Sequence, residues 1–168
     1  LLQISSNMPM SHQLMAQQLG TVVFGSKKLP SLSEKTVAVI GQGSVGLFHD
    51  FILHRMGAKQ IIAIEPVKER LKAATNMGAT HLIDVTGEKA VDAVLDMTDG
   101  RGADVVIEAV GSVDTLNQSL KLVKRFGRIA AFGLPPTMDK IPFDWDTFFR
   151  KCVDIHSVFG AQDEAGLP

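Results

Sequence analysis

Three glycines, Gly41, Gly43 and Gly46, stand in the spacing G-x-G-x-x-G, and a carboxylate, Glu65, follows 22 positions after the middle one. These residue types at this spacing suit a dinucleotide. Gly41 permits a tight turn, Gly43 lets a pyrophosphate approach the backbone, and Gly46 lets a helix pack closely on a sheet. Ser44 and Val45 fall at the start of that helix, where unpaired N–H groups and the positive dipole end favour a phosphate pair. An acid about 20 residues further on can hold the hydroxyls of the adenosine ribose. Glycines also gather in ordinary turns, so the assignment depends on the elements around them.

Thr36–Ile40 is apolar and β-branched, as expected of a strand buried on both faces of a parallel sheet. Val45 to Met56 reads as the helix that follows, stopped at Gly57. Ile61–Ile64 makes a second strand ending in Glu65, then a helix over Val67 to Met77, then a short strand at His81–Ile83. A helix over Glu88 to Met97 leads through the turn Thr98–Gly102 to a fourth strand, Asp104–Glu108, ending at Ala109, Val110 and Gly111. Val113 to Phe126 reads as a helix closed by Gly127, and Arg128 to Gly133 as the fifth strand. Leu134 opens an extended stretch, Asp144 to Lys151 is a short helix, and Val153 to Phe159 a sixth strand. This alternation predicts right-handed crossovers and an α/β Rossmann fold: a doubly wound, six-stranded parallel sheet with helices on both faces. The expected division is a leading helix and connector over 1–32, a dinucleotide-binding domain over 33–160 and a tail over 161–168. Met10 to Gly25 carries the leading helix, with Ser11 as its cap.

Composition narrows the partners. Lys plus Arg is 17 against 18 for Asp plus Glu, so no overall field favours nucleic acid or an anionic membrane. No apolar run approaches a membrane span and no signal-peptide pattern opens the chain. The single cysteine, Cys152, excludes an internal disulfide framework and a thiolate metal cluster, reads as a structural thiol in the strand region, and suggests a reducing, cytoplasmic setting. The chain opens on Leu1, which suggests a piece of a longer polypeptide. His49 and His54 are five positions apart on one helix, unsuited to a shared ligand, and read as packing or solvent-facing residues. Arg70 is either a solvated helix charge or an adenine contact. Phe143, Trp145, Phe148 and Phe149 read as packing rather than a substrate cage. Glu65 would repel a 2′-phosphate, so the expected cofactor is NAD rather than NADP.

Val37 to Leu47, Glu65, Met77 to Ala79, Asp104 to Gly111 and Phe132–Gly133, in that order, resemble the nucleotide-binding domain of the medium-chain dehydrogenase/reductase family, the zinc-type alcohol dehydrogenase group. The resemblance runs from about Leu19 to Gly160. It implies that the glycine turn and Val45 lie along the pyrophosphate, that Glu65 chelates the ribose hydroxyls, and that Ala109, Val110 and Gly111 border the two riboses. It places Phe132, Gly133 and Leu134 beside the nicotinamide, with Val158 and Phe159 offering backbone groups to its carboxamide. It also implies a homodimer joined through Val153 to Phe159. The implied chemistry is hydride transfer between nicotinamide C4 and a small alcohol, aldehyde or ketone.

The departures are as informative. Members of that family carry a separate catalytic domain that supplies zinc ligands and a proton relay, and no such sequence occurs here. Where one zinc ligand of the family would lie, this chain has Gln17 and Gln18, so a zinc-independent parent and a zinc held in the missing domain both stay open. The chain alone is therefore expected to bind NAD without turning over substrate. Two other readings are an S-adenosylmethionine-dependent methyltransferase, which also uses a glycine turn and a following acid, and a non-catalytic nucleotide-binding or interaction module.

Overall fold

The structure, a computed structural model, describes residues 7–135, 140–158 and 160. Its elements in chain order are α1 (Met10–Ser26), β1 (Thr36–Ile40), α2 (Ser44–Arg55), β2 (Gln60–Ile64), α3 (Lys68–Asn76), β3 (His81–Ile83), α4 (Gly87–Met97), β4 (Ala103–Glu108), α5 (Val113–Leu122), β5 (Val123–Ala131), α6 (Trp145–Lys151) and β6 (Asp154–Ser157). The strands form one six-stranded sheet in the order β3-β2-β1-β4-β5-β6, with every neighbouring pair parallel.

Successive side chains on a strand point to opposite faces, so each apolar run feeds two cores at once. Ala38, Ile40, Ile62, Ile64, Val106 and Ile129 face one layer, where they meet Ala90, Val91 and Val94 of α4 and Leu120 of α5. Val37, Val39, Ile61, Ala63, Val105 and Ile107 face the other, against Leu53 of α2 and Leu71 and Ala74 of α3. The strand order reverses between β1 and β4, and a crevice opens at their carboxyl ends. That is where an open α/β sheet receives a ligand.

Four expectations need correction. The helix expected to run to Phe126 ends at Leu122: Val123 turns extended and pairs with Ala103, while Phe126 adopts a left-handed φ of 57° that no helix continues. β5 therefore starts earlier than its apolar run suggests and carries a register shift before Arg128. The sixth strand is shorter than Val153 to Phe159; Val153 and Val158 flank it as buried residues, and Phe159 lies outside the described residues. Ser11 does not cap α1, because the cap position falls on Pro9, where no side chain bonds to the helix. Cys152 is an exposed thiol in left-handed conformation at the C-terminus of α6, with φ 52°, rather than a structural thiol in the strand region. Among the described residues, no helix is long and apolar enough to cross a membrane.

Candidate functional site

The β1–α2 turn is built as its glycines suggest. Gly41 has φ 88°, in the region that L side chains rarely adopt, and a Cβ there would press on Val110 Cγ2 at 2.6 Å. A Cβ on Gly46 would collide with the Gly41 carbonyl oxygen, so the first turn of α2 folds directly over the end of β1. Gly43 is the opposite case: a Cβ would meet nothing within 4 Å, leaving open space on the face a phosphate would occupy. Gly43 holds the cap position of α2 and no side chain caps that end, so Ser44, Val45 and Gly46 begin the helix without a side-chain acceptor. This is the environment in which helix N–H groups bind an anion.

Glu65 closes β2 beside this turn and is 4% exposed. Its Oε2 accepts the Gln42 N–H at 2.8 Å and its Oε1 accepts the Val67 N–H at 3.1 Å. Arg70 on α3 stands with Nη1 3.5 Å from Oε2. The acid is thus oriented by backbone donors on both sides, and Arg70, half exposed, stands over it at the rim rather than free in solvent.

At the other half of the crevice a cavity of about 950 Å³ opens between the ends of β4, β5 and β6 and the side of α1. Val45, Gly111, Phe132, Gly133, Leu134 and Val158 line it. Val110 and Leu134 are 51% and 69% exposed, apolar side chains left uncovered beside the opening. Gly41, Gly43, Ser44, Gly46, Glu65, Arg70, Ala109 and Val110 lie outside its lining, yet Gly41 abuts both Ala109 and Val110, so the two halves form one crevice. Phe159 falls outside the described residues. The residues present therefore fit a dinucleotide: an uncapped helix end with open space above Gly43, a buried oriented acid on one side, and an apolar cavity on the other.

They do not fit a metal. Among the described residues no group of three or more His, Cys, Asp or Glu is placed to hold an ion. Gln17 and Gln18 line the cavity, but the Gln17 amide donates to Thr21 Oγ1 at 3.2 Å, a bond within α1.

Two features escaped the sequence reading. Glu108, 2% exposed, closes β4 and lines the cavity. The signal was available, since β4 ends in a carboxylate just as β2 ends in Glu65. The other is Asp50, fully buried on α2 beside His49, which the sequence already reads as a packing or solvent-facing residue. His49 packs edge-on against Phe132 with ring centroids 4.2 Å apart, which settles it as a packing residue, while His54 is exposed. Neighbouring positions on a helix point about 100° apart, so no periodic pattern marks such a pair.

A family model described as zinc-binding dehydrogenase matches residues 44–166. The chain belongs to the zinc-binding dehydrogenase family. Sorbitol dehydrogenase of Bacillus subtilis is 35% identical over 124 residues, covering 74% of this chain and 35% of that protein. L-threonine 3-dehydrogenase of Pyrococcus furiosus is 31% identical over 154 residues, 92% of this chain and 44% of its own length. The crystal structure of an alcohol dehydrogenase from Thermotoga maritima superposes with a TM-score of 0.85 at 28% identity, over 98% of this chain and 46% of that one. This chain thus spans less than half the length of these relatives, and what it holds is the family's nucleotide-binding domain.

Proposed function

We propose that this chain binds NAD in the crevice at the carboxyl ends of β1, β2, β4 and β5 and orients it within an oxidoreductase acting on a small alcohol, aldehyde or ketone. The observation that carries the reading is the uncapped start of α2 above an open Gly43, with the buried Glu65 on one side and the 950 Å³ cavity on the other. The names of the relatives, sorbitol, threonine and alcohol dehydrogenases, support the reaction class. When bound, a nicotinamide supplies hydride acceptance or donation at C4. The protein's part is geometric and electrostatic. The helix end faces the pyrophosphate, Glu65 accepts the ribose hydroxyls, and Phe132, Gly133 and Leu134 form one wall beside the ring.

NAD is preferred to NADP because Glu65 is buried, fixed by two backbone donors and neutralised on one side only by an exposed guanidinium. A 2′-phosphate would meet that carboxylate at close range. Titration calorimetry is expected to show NAD+ binding at least about tenfold more tightly than NADP+. Equal affinities, or a preference for NADP+, would refute the choice of cofactor.

A homodimer through β6 is part of the same proposal. Among the described residues β6 ends the sheet order with no strand on its outer side, and an exposed edge invites pairing with a second copy. A reducing cytoplasmic setting is supported only by the exposed free thiol of Cys152.

A further inference from the structure

Glu108 has a connectivity that cofactor binding by Glu65 and the glycine turn does not account for. Three donors converge on one of its carboxyl oxygens: Oε1 accepts the Val110 N–H at 2.9 Å, the Gly111 N–H at 2.9 Å and the Thr115 hydroxyl at 2.8 Å. Thr115 is itself half of the capping box that starts α5, with its own N–H donated to Ser112 Oγ at 3.1 Å. The main-chain oxygen of Glu108 accepts two more bonds, from Phe132 N at 2.8 Å and Gly133 N at 3.0 Å. The second carboxyl oxygen, Oε2, lies 2.6 Å from where a Gly133 Cβ would stand.

One residue therefore ties together the turn after β4, the start of α5 and the turn after β5. The two turns are in backbone contact, since a Cβ on Gly133 would collide with Gly111 N. Gly111, Ser112, Phe132 and Gly133 all line the cavity, so a shift of either turn changes its wall. No bond of Glu108 reaches the Gly41–Gly46 turn or Glu65, at the adenosine end. This wiring bears chiefly on the cavity half of the crevice and touches the glycine turn only through Ala109 and Val110 against Gly41.

We infer that Glu108 is a positioning residue for the nicotinamide half of the crevice, fixing the Ala109–Gly111 and Phe132–Gly133 turns against each other so that the ring and its ribose meet a preformed wall. The inference rests on the dinucleotide reading and adds to it a division of labour: Glu65 serves the adenosine end and Glu108 the nicotinamide end. It also says which atom matters. Oε1 holds the turns, and an amide oxygen can accept the same three bonds, whereas a methyl group cannot.

The test compares NAD+ with AMP, which probes the adenosine end alone, by titration calorimetry on the 168-residue chain and its variants. Glu108→Ala is expected to weaken NAD+ about tenfold or more while AMP affinity stays within about twofold. Glu108→Gln is expected to restore most of the loss. Thr115→Val keeps the Thr115 N–H bond to Ser112 Oγ and removes one of the three donors to Oε1, together with the Ser112 N–H bond to Thr115 Oγ1. It gives a milder variant should the alanine protein not fold, with NAD+ weakened about two- to fivefold and AMP unchanged. A parallel loss of AMP and NAD+ affinity in these variants would show a general structural role and overturn the inference, as would wild-type NAD+ affinity in Thr115→Val or in a folded Glu108→Ala. Wild-type protein that binds neither AMP nor NAD+ would instead overturn the dinucleotide reading, and this inference with it.

Discussion

Asp50 and His49 are consecutive on α2, fully buried, and none of their side-chain nitrogens or oxygens has a hydrogen-bond partner among the described residues. Burial disfavours the charged form of each, pushing the Asp50 carboxyl up to about 8 and the His49 imidazole down to about 3. The consequences for stability have opposite signs. With its folded value raised, Asp50 costs nothing below its ordinary 3.8, and stability falls as pH rises from there to about 8. With its folded value lowered, His49 costs nothing above 6.5, and stability falls as pH drops from there towards 3. Between about 4 and 6.5 the two slopes oppose each other, at roughly 1.4 kcal/mol per pH unit each, and above 6.5 only the Asp50 slope remains. Asp50→Asn should therefore match the wild type near pH 4 and gain on it steadily to pH 8, by several kcal/mol in the limit. Urea unfolding at a series of pH values measures this; a constant difference across the range would contradict it.

At the scale of elements, the glycine turn separates into parts that fold the chain and parts that face a ligand. Gly46→Ala places a methyl group on the Gly41 carbonyl oxygen and should cost about 2 kcal/mol of stability. Gly43→Ala meets nothing, so it should unfold like the wild type while losing affinity for NAD+. Urea midpoints and cofactor titrations on the two variants separate these effects, and a strongly destabilised Gly43→Ala would contradict the assignment. This turn was readable in the sequence because its residue types and its spacing are both demanded by backbone geometry. The strands were readable for a similar reason: each is an apolar run buried on both faces, and only a parallel sheet between helices hides such runs. The end of α5 was not readable. Val123 to Phe126 suits a helix locally, and pairing with Ala103, 20 residues earlier in the chain, decides otherwise. The Glu108 wiring was hidden too, since its donors belong to turns whose approach to one another exists only once the sheet has formed.

At the scale of the whole molecule, the aromatic group behaves as packing. Phe143, Trp145 and Phe148 have centroids between 5.3 and 6.4 Å apart, although Trp145 is 64% exposed and Phe149 stands away from the group at 69%. These exposed rings lie on α6, the helix that leads directly into the open edge of β6. Sedimentation or light scattering at micromolar concentration is expected to give twice the chain mass of 18.1 kDa, and a charged substitution such as Ile155→Lys in β6 to return it to the monomer. A wild-type monomer at those concentrations would remove the edge-to-edge dimer. Such global properties leave little trace in a local motif.

The strand order has one more consequence. β1, β2 and β3 are joined to one another by short crossovers, and so are β4, β5 and β6, and among the described strands the two triplets pair along the β1–β4 ladder, between residues nearly 70 positions apart. Asp104 fastens one end of that seam, accepting the Thr36 N–H at 2.9 Å and the Lys124 ammonium at 2.6 Å. The opposite end of the seam is the mouth of the crevice, with the Gly41–Gly46 turn on one bank and Glu108 on the other. Closing it costs the most chain entropy of any pairing in the sheet, and α4 against α5 and His49 against Phe132 add packing across the same line. A dinucleotide held by both banks would act as a stitch across that line, joining two halves of the chain.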